Sequence, residues 1–276
     1  MAAWMTLISC IVACKARAAA LSRAEQTIAN FSFASQLGSG IYSINGRTVQ
    51  IYRLPFSWEY SKAREDQTGI SLLMPITLGF YDFDVEDVLH TKLPRSIDTL
   101  SFVPGVRVSR VFFKDWLFNG FVQAGVGKER TSTADSIIYA SGVGADHDFN
   151  IGSFRIHFDA QMLYAAALFK DRSNDAMVRL SNGIEARMGL KMSIRGVALD
   201  YAPYVMNEWY LRRPVPPLSS IGAPITPVQW EFGVTIGSEK TVHLWKIPLP
   251  RIGVGYRFGD SLSVFRIVFG DRKSVV

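Results

Sequence analysis

The sequence predicts an all-β protein, specifically a transmembrane antiparallel β-barrel of about twelve strands. Three observations predict this class: long runs of alternating apolar and polar residues, aromatic residues near the inferred strand ends, and no uncharged apolar run of helical span length beyond the N-terminal region. A period of two is typical of a strand with one apolar and one polar face. Crossing a bilayer at a tilt takes about nine to eleven residues per strand, whereas globular strands usually have about five or six.

The alternation is clearest over residues 154–164, where every second side chain is apolar. The apolar face consists of Phe154, Ile156, Phe158, Ala160, Met162 and Tyr164. The opposite face consists of Arg155, His157, Asp159 and Gln161. Residues 178–190, 228–236 and 251–258 follow the same period. We expect the apolar faces to meet lipid and the polar faces to line a wet lumen.

Turn signals divide the chain into strands. Asn45-Gly46 is a strong hairpin signal, and Lys114-Asp115 and Gly259-Asp260 separate further strand pairs. The predicted strands are 36–44, 47–59, 68–80, 99–113, 116–128, 136–147, 153–168, 176–189, 194–206, 226–238, 249–259 and 261–270. An even strand number places both termini on the periplasmic side, and the longest connections, 81–98 and 207–225, then lie outside the cell.

Aromatic residues near these strand ends predict the girdles that membrane barrels carry at both interfaces. The girdle candidates are Trp58, Tyr60, Trp116, Phe118, Trp209, Tyr210, Trp230, Trp245 and Tyr256. A preference of aromatic residues for strands in general would give a similar distribution.

The N-terminal region predicts a cleaved signal peptide over residues 1–20, because an apolar run at 2–12 is followed by three alanines at 18–20. No Lys or Arg precedes the apolar run, which departs from the usual pattern. Lipid attachment at Cys14 and a buried N-terminal helix are the alternatives. Residues 21–35 are then a periplasmic lead or a helix plugging the lumen, residues 36–270 the barrel, and residues 271–276 a polar tail.

Composition narrows the functional classes. The 276 residues are 48% hydrophobic and 12% aromatic, which excludes a disordered chain. The formal charge is +6, but the basic residues are scattered singly, so we expect no nucleic-acid partner. A basic surface suits outer-membrane lipid or lipopolysaccharide instead. Both cysteines, Cys10 and Cys14, precede the barrel, so the body can hold no disulfide framework and no cysteine metal site.

Three segments carry a resemblance to a known family. The segment RIGVGYRF at 251–258 resembles the targeting signal read by the bacterial barrel-assembly machinery, although here it precedes the last predicted strand. Together with LPFSW at 54–58 and the run 69–82, the closing GVGYRFGD at 253–260 resembles the solitary outer-membrane autotransporter-like barrel family over roughly residues 35–270. The resemblance implies a twelve-stranded translocator-like barrel in a Gram-negative outer membrane without a passenger domain, assembled with that machinery as its partner. About fifteen residues separate the predicted signal from the first strand, too few for a passenger.

The sequence shows no catalytic constellation. The histidines are His90, His147, His157 and His243, and none has a Ser two residues away on the same strand face. Such a Ser would be needed for a nucleophile–base pair on neighbouring positions. Four acidic residues within 82–87 lack the spacing of a calcium loop, so a solvated loop is the better interpretation. We therefore predict no enzyme, no metal and no cofactor.

The candidate functional residues are polar side chains predicted to face the lumen. They are Arg155, His157, Asp159, Arg179, Glu185, Arg187, Glu231, Arg251 and Arg257. Such residues can line a polar pore or pair with one another and close it. The predicted role is structural or porin-like transport with an unknown substrate. The alternatives are a lipid- or lipopolysaccharide-modifying enzyme and a surface receptor or adhesin acting through its outer loops.

Overall fold

The computed structural model of the chain is built from β-strands. It describes residues 38–44, 47–81, 99–113, 115–129, 135–152, 154–169, 174–194, 196–212, 227–238, 243–244, 247–248, 251–259 and 262–269. These stretches include no helix long and apolar enough to cross a membrane. The predicted signal peptide (1–20), the segment 21–35 and the tail 271–276 lie outside the described residues.

Fifteen strand elements follow one another along the described chain. They are β1 (Gly40–Ile44), β2 (Arg47–Ser61), β3 (Gly69–Tyr81), β4 (Thr99–Phe102), β5 (Gly105–Phe112), β6 (Trp116–Glu129), β7 (Asp135–Ile151), β8 (Phe154–Phe169), β9 (Asp175–Ile194), β10 (Val197–Arg212), β11 (Val228–Gly237), β12 (His243–Leu244), β13 (Ile247–Pro248), β14 (Ile252–Gly259) and β15 (Leu262–Phe269). All except β12 and β13, which form a separate short hairpin, belong to one antiparallel sheet.

The pairings of this sheet form a closed ring. From β1 to β11, consecutive strands pair when β4 and β5 are counted as one, β11 pairs with β14, β14 pairs with β15, and β15 pairs back with β1. β4 and β5 act as one strand, because both lie between β3 and β6. Pro104, which has no N–H to donate, interrupts them. The ring therefore has twelve strands, as the sequence predicts.

The barrel has two rims, defined here by the strands that end at each. The first rim is where β1, β3, β6, β8, β10 and β14 end, and the second rim is where β2, β5, β7, β9, β11 and β15 end. The two longest connections between consecutive barrel strands at the first rim are 82–98 and 213–227. Among the described residues, the seam between β1 and β15 has four residues of each strand in register, against sixteen between β7 and β8.

The outer wall of the barrel is apolar and exposed. On β14, Ile252, Val254, Tyr256 and Phe258 are exposed, and Gly253, Gly255 and Arg257 between them are buried. On β11, Trp230, Phe232, Val234 and Ile236 are likewise exposed. An antiparallel sheet in water turns its apolar face inward, so this arrangement is inverted relative to a soluble barrel and matches a membrane barrel.

The lumen wall has two unlike parts. One part, on β3 and β6 to β10, carries the apolar cluster of Leu73, Phe121, Ala140, Leu163, Ala165, Met177 and Tyr210. A smaller apolar cluster of Val103, Ile138, Ala167 and Phe169 lies beside it. The other part, on β9 to β15 and β2, carries buried charged side chains.

Several strand boundaries differ from the sequence-based prediction, most of all those of β9 and β10. β10 continues to Arg212 beyond its predicted end at residue 206, because Glu208 and Trp209 stay in register with Gln229 and Val228 of β11. The predicted outer loop 207–225 is therefore wrong for residues 207–212. β9 runs to Ile194, and together with the start of β10 it forms a ribbon beyond the last β8 pair, Arg155↔Arg187.

Of the nine girdle candidates, the described ones lie outside with one exception. Trp58, Tyr60, Phe118, Trp209, Trp230 and Tyr256 are exposed large aromatic residues. Near the second rim, Trp116 stacks on His147 at 4.7 Å between ring centroids. Tyr210 is buried, and its hydroxyl bonds to Glu208 inside the lumen, so its girdle assignment is wrong. Trp245 lies outside the described residues.

Candidate functional site

The densest group of buried charges lies inside the barrel near the first rim. This first-rim cluster comprises Arg179, Glu208, Glu231, Arg257 and Arg266. Each residue comes from a different strand, in the order β9, β10, β11, β14 and β15 around the ring. Strand alternation places Glu231, Arg257 and Arg266 on the lumen side, because exposed apolar side chains flank each of them on both sides. Arg179 and Glu208 lie on the same side, because both contact members of this group.

Arg257 joins the two carboxylates of the cluster. Its Nη1 donates to Oε2 of Glu208 at 2.7 Å, and its Nε donates to Oε2 of Glu231 at 2.8 Å. The residue is only 1% exposed. Because a guanidinium keeps its charge at any accessible pH, both carboxylates have a permanent cationic partner.

Arg266 and Arg179 lie at the two ends of the row of charges. Nη1 of Arg266 donates to Oε2 of Glu231 at 2.7 Å, and Nη1 of Arg179 lies 3.2 Å from Oε1 of Glu208. The five side chains therefore alternate in sign around the wall as Arg, Glu, Arg, Glu and Arg, ordered by their contacts. A buried charge without a partner would be strongly destabilising, so the alternation is what allows five charges to be buried together.

Two tyrosines add neutral donors to the carboxylates. The hydroxyl of Tyr204 donates to Oε1 of Glu231 at 2.7 Å, and the hydroxyl of Tyr210 donates to Oε2 of Glu208 at 3.1 Å. The Tyr204 ring lies over Gly233 and Gly255. A Cβ on Gly233 would meet the Tyr204 ring and lie 2.5 Å from its hydroxyl, and a Cβ on Gly255 would also meet that hydroxyl. Both positions therefore require glycine for close approach, not for backbone conformation.

A second group of charges lies towards the second rim. Nδ1 of His157 lies 2.7 Å from Oδ1 of Asp148, and Nε2 lies 3.9 Å from Oδ1 of Asp146. The imidazole is fully buried. Asn119 donates to the other oxygen of Asp146 at 3.0 Å, and Arg155 lies 3.7 Å from Asp148. On β9, the neighbour of β8 opposite to β7, the backbone register places Glu185 across from His157.

Two further pairs extend this second-rim layer. Nε of Arg187 donates to Oε1 of Glu185 at 2.7 Å on the same strand. Nη2 of Arg251 lies 2.5 Å from Oδ1 of Asp200, and its Nε and Nη2 both lie 3.3 Å from the Thr235 hydroxyl. The layer thus runs from β6 to the start of β14.

The second-rim layer has no nucleophile in the described part of the chain. The His157–Asp148 pair resembles a base and its orienting carboxylate, but catalysis by such a pair also needs a hydroxyl or thiol in hydrogen-bond reach. Nδ1 of His157 is hydrogen-bonded to Asp148. Across the described residues, no three His, Cys, Asp or Glu side chains converge as a metal site.

The structure distributes the nine predicted lumen residues over both groups. Arg179, Glu231 and Arg257 belong to the first-rim cluster, and His157, Glu185, Arg187 and Arg251 belong to the second-rim layer. Arg155 is the most exposed of the layer, and Asp159 lies half-buried across from Asp146.

Sequence reasoning missed Arg53, Glu208, Arg266, Asp200 and Tyr204. Arg266 could have been found, because it alternates with the apolar Phe265 and Ile267. Glu208 could not, because the polar pair Asn207 and Glu208 ends the apolar alternation of its strand.

Comparison with known proteins gives only structural likeness. No protein-family model and no curated protein matches this sequence. The beta domain of the Bordetella autotransporter Brka matches with a TM-score of 0.48 and 12% identity, covering 83% of this chain and 93% of that one. LpxR from Salmonella typhimurium matches with a TM-score of 0.42 and 8% identity, covering 89% of this chain and 95% of that one.

The ring of pairings and the inverted wall, apolar outside and charged inside, decide the architecture. This chain has an outer-membrane β-barrel fold. The first-rim cluster and the second-rim layer are the charged side chains on its inner wall.

Proposed function

We propose that this protein is an exported outer-membrane barrel that provides a passive transport path through its lumen. The observation that carries the proposal is the pair of charged groups on the inner wall, the first-rim cluster and the second-rim layer. A polar interior within an apolar outer band is the arrangement of water-filled membrane barrels.

Membrane insertion is supported by the exposed outer wall. Phe232, Val234, Ile252, Val254 and Phe265 are each more than a third exposed. At about 25 cal/mol per Å² of apolar surface, leaving such a band in water would be strongly unfavourable, and lipid removes that cost. Arg110 is an exposed cation on this wall, and it lies over the Phe112 ring near the second rim. Interfacial heights are where such a cation is tolerated.

The connections support an orientation with the first rim outside the cell. Bacterial barrels have long outer loops and short periplasmic turns. The connections 82–98 and 213–227 lie at the first rim, whereas the second rim carries the hairpins at 113–115 and 195–196 and one long connection, 238–251. β1 begins and β15 ends at the second rim. In this orientation, the chain that follows the signal peptide expected at 1–20 enters the barrel from the periplasmic side.

The decisive experiment is single-channel recording of the purified, refolded chain in a planar bilayer, beside a variant that lacks residues 21–35. Heat-modifiable migration on a denaturing gel checks that both forms are folded barrels. Stable conductance steps from the full chain support an open path. Steps only from the shortened variant support a path that residues 21–35 close. Folded barrels that give no steps in either form contradict transport.

A further inference from the structure

We infer that the outer wall of the barrel at the second rim binds an anionic phospholipid. Arg110 on β5 meets the lipid phosphate, and the aromatic rings beside it meet the glycerol and the upper acyl chains. We call these rings the aromatic patch; its members are Phe112, Phe113, Trp116, Phe118 and His147. The inference rests on the membrane insertion and the orientation proposed above, and it does not depend on whether the lumen conducts.

Arg110 lies on the lipid-facing side of β5. Val106, Val108 and Phe112 share this side of the strand, and all three are exposed, as is Arg110 itself. β5 ends at Phe112, so Arg110 lies two residues, or about 7 Å along the strand, from the second rim. At this depth a long side chain can keep its stem in the apolar layer while its charged head reaches the headgroups.

The chemistry of Arg110 matches that of a lipid phosphate. Its Cζ lies 5.4 Å from the centroid of the Phe112 ring, a cation–π contact that positions the guanidinium without neutralising its charge. A guanidinium binds phosphate oxygens through parallel N–H donors. The cost of an arginine on the lipid face of a barrel also falls steeply towards the interface, where phosphates are within reach. An anionic phospholipid adds the net negative charge that a zwitterionic lipid lacks.

The aromatic patch is continuous with Arg110. The Phe112 ring contacts those of Phe113 and Phe118, with centroids 6.3 and 5.8 Å apart. Trp116 stacks on Phe118 at 6.3 Å and on His147 at 4.7 Å. The patch thus joins β5, β6 and β7 along one part of the rim. Aromatic rings suit the depth at which the acyl chains meet the headgroups, because they pack against both.

The backbone at Phe113 is a second and independent observation. This residue has a φ of 45°, in the left-handed region that bulky residues rarely adopt, and its side chain is 83% exposed. In water, the strained backbone and the exposed ring would both be unfavourable. Insertion of the ring into lipid removes its apolar surface from water and offsets the strain.

The orientation of the barrel decides between the two lipid classes of an outer membrane. With the first rim outside the cell, the second rim lies in the periplasmic leaflet, which is the phospholipid leaflet. The occupant that we assign to the site is therefore an anionic phospholipid, represented in the test by phosphatidylglycerol, and lipopolysaccharide is the occupant that the test has to exclude.

The test measures which lipid lies beside Trp116. The chain is refolded with its other tryptophans replaced by phenylalanine, in phosphatidylcholine vesicles that contain brominated phosphatidylglycerol or brominated phosphatidylcholine, whose bromines quench tryptophan fluorescence on contact. Heat-modifiable migration checks that the barrel is folded. We expect phosphatidylglycerol to be preferred at Trp116 by about fivefold, the Boltzmann factor for a charge pair about 4 Å apart in water. A ratio near one overturns the inference.

Two substitutions of Arg110 separate its charge from the packing of the patch. Arg110→Gln is expected to lower the preference about fivefold, to near unity, whereas Arg110→Lys keeps a cation and should keep the preference. Lys191→Gln is the matched control, because Lys191 is an exposed cation on β9 towards the same rim, on a different part of the wall. We expect the control to leave the ratio at Trp116 unchanged. Equal ratios for Arg110→Gln and Lys191→Gln overturn the inference.

A second reporter excludes a general attraction of anionic lipid to a basic protein. Trp230 is exposed near the start of β11, so a chain with this tryptophan alone reports on the first-rim half of the wall. A preference at Trp230 as strong as that at Trp116 overturns the inference. Unlabelled lipid A that displaces brominated phosphatidylglycerol from Trp116 better than unlabelled phosphatidylglycerol does would assign the site to lipopolysaccharide and overturn it as well.

The outcome also separates this inference from the transport role. A chain that is not heat-modifiable and is quenched by neither brominated lipid overturns the membrane insertion on which both depend. A folded barrel that shows the phosphatidylglycerol preference but no conductance contradicts transport alone and supports the lipid site.

Discussion

Replacing Glu231 by Gln isolates the energetic role of the first-rim cluster. Glu231 is 2% exposed and receives hydrogen bonds from Arg257, Arg266 and Tyr204. Glutamine keeps the shape of the side chain and can still accept from Tyr204. It removes the negative charge, so Arg266 loses the carboxylate that its Nη1 contacts at 2.7 Å.

The expected loss of stability is about 3 kcal/mol. Removing one partner of a buried ion pair usually costs about 3–5 kcal/mol, because the other charge stays buried. The lower end of this range applies here, since Arg257 retains its contact with Glu208 at 2.7 Å. A second substitution, Arg266→Met, removes the Arg266 charge as well, and we expect the double variant to recover at least about 1.5 kcal/mol of the loss, as close buried charge pairs do in double-mutant cycles.

The assay is reversible urea unfolding in lipid vesicles, followed by the fluorescence of the five tryptophans beyond residue 20. Glu59→Gln is the matched control, because Glu59 is an exposed carboxylate on β2 towards the second rim. We expect the control to stay within about 0.5 kcal/mol of the wild type. If Glu231→Gln behaves like Glu59→Gln, the buried pairs are not the stabilising network described here.

Three further predictions use the same unfolding assay. Gly233→Ala would place a methyl group against the Tyr204 ring, so we expect a loss of about 1–3 kcal/mol, whereas Gly189→Ala, where a Cβ meets nothing within 4 Å, should lose less than 1 kcal/mol; equal effects would contradict the packing argument. Tyr204→Phe deletes the 2.7 Å hydrogen bond to a charged carboxylate and should cost about 1.5–3 kcal/mol, an expectation that an unchanged midpoint would refute. Phe232→Arg on the exposed face of β11 should destabilise the inserted barrel by about 2–4 kcal/mol if that face meets the hydrocarbon, and a neutral effect would argue that it does not.

The fold follows from the sequence because each strand carries its own evidence. The alternation of residues 251–258 shows which side chains share a face. When the strands close into a ring, the apolar face of each lies towards lipid. The twelve strands and their approximate positions were therefore predictable from local patterns, while the break at Pro104 needed the partners of both halves.

The first-rim cluster was only partly predictable, because it is formed by contacts between side chains of different strands. Glu208 ends an apolar alternation and indicates a loop when β10 is considered alone. In the barrel it lies between Arg179 and Arg257 of the strands around it, and these two charges make its burial favourable. Tyr210 is buried beside it, and its hydroxyl donates to Glu208 two residues away on the same strand. Which charges meet is decided by register, and one sequence gives register only loosely.

The short seam between β1 and β15 has a mechanical consequence. The described part of this seam has four residue pairs in register, whereas the adjoining β1–β2 and β14–β15 pairings have five and eight. During insertion, we expect β1 and β15 to pair last, because the longer hairpins can form from residues close in sequence before the two ends of the chain meet. In the inserted barrel, it is the strand pairing that would separate first under strain. A covalent cross-link between positions 42 and 264, which lie opposite each other in this seam, would hold the two strands together permanently.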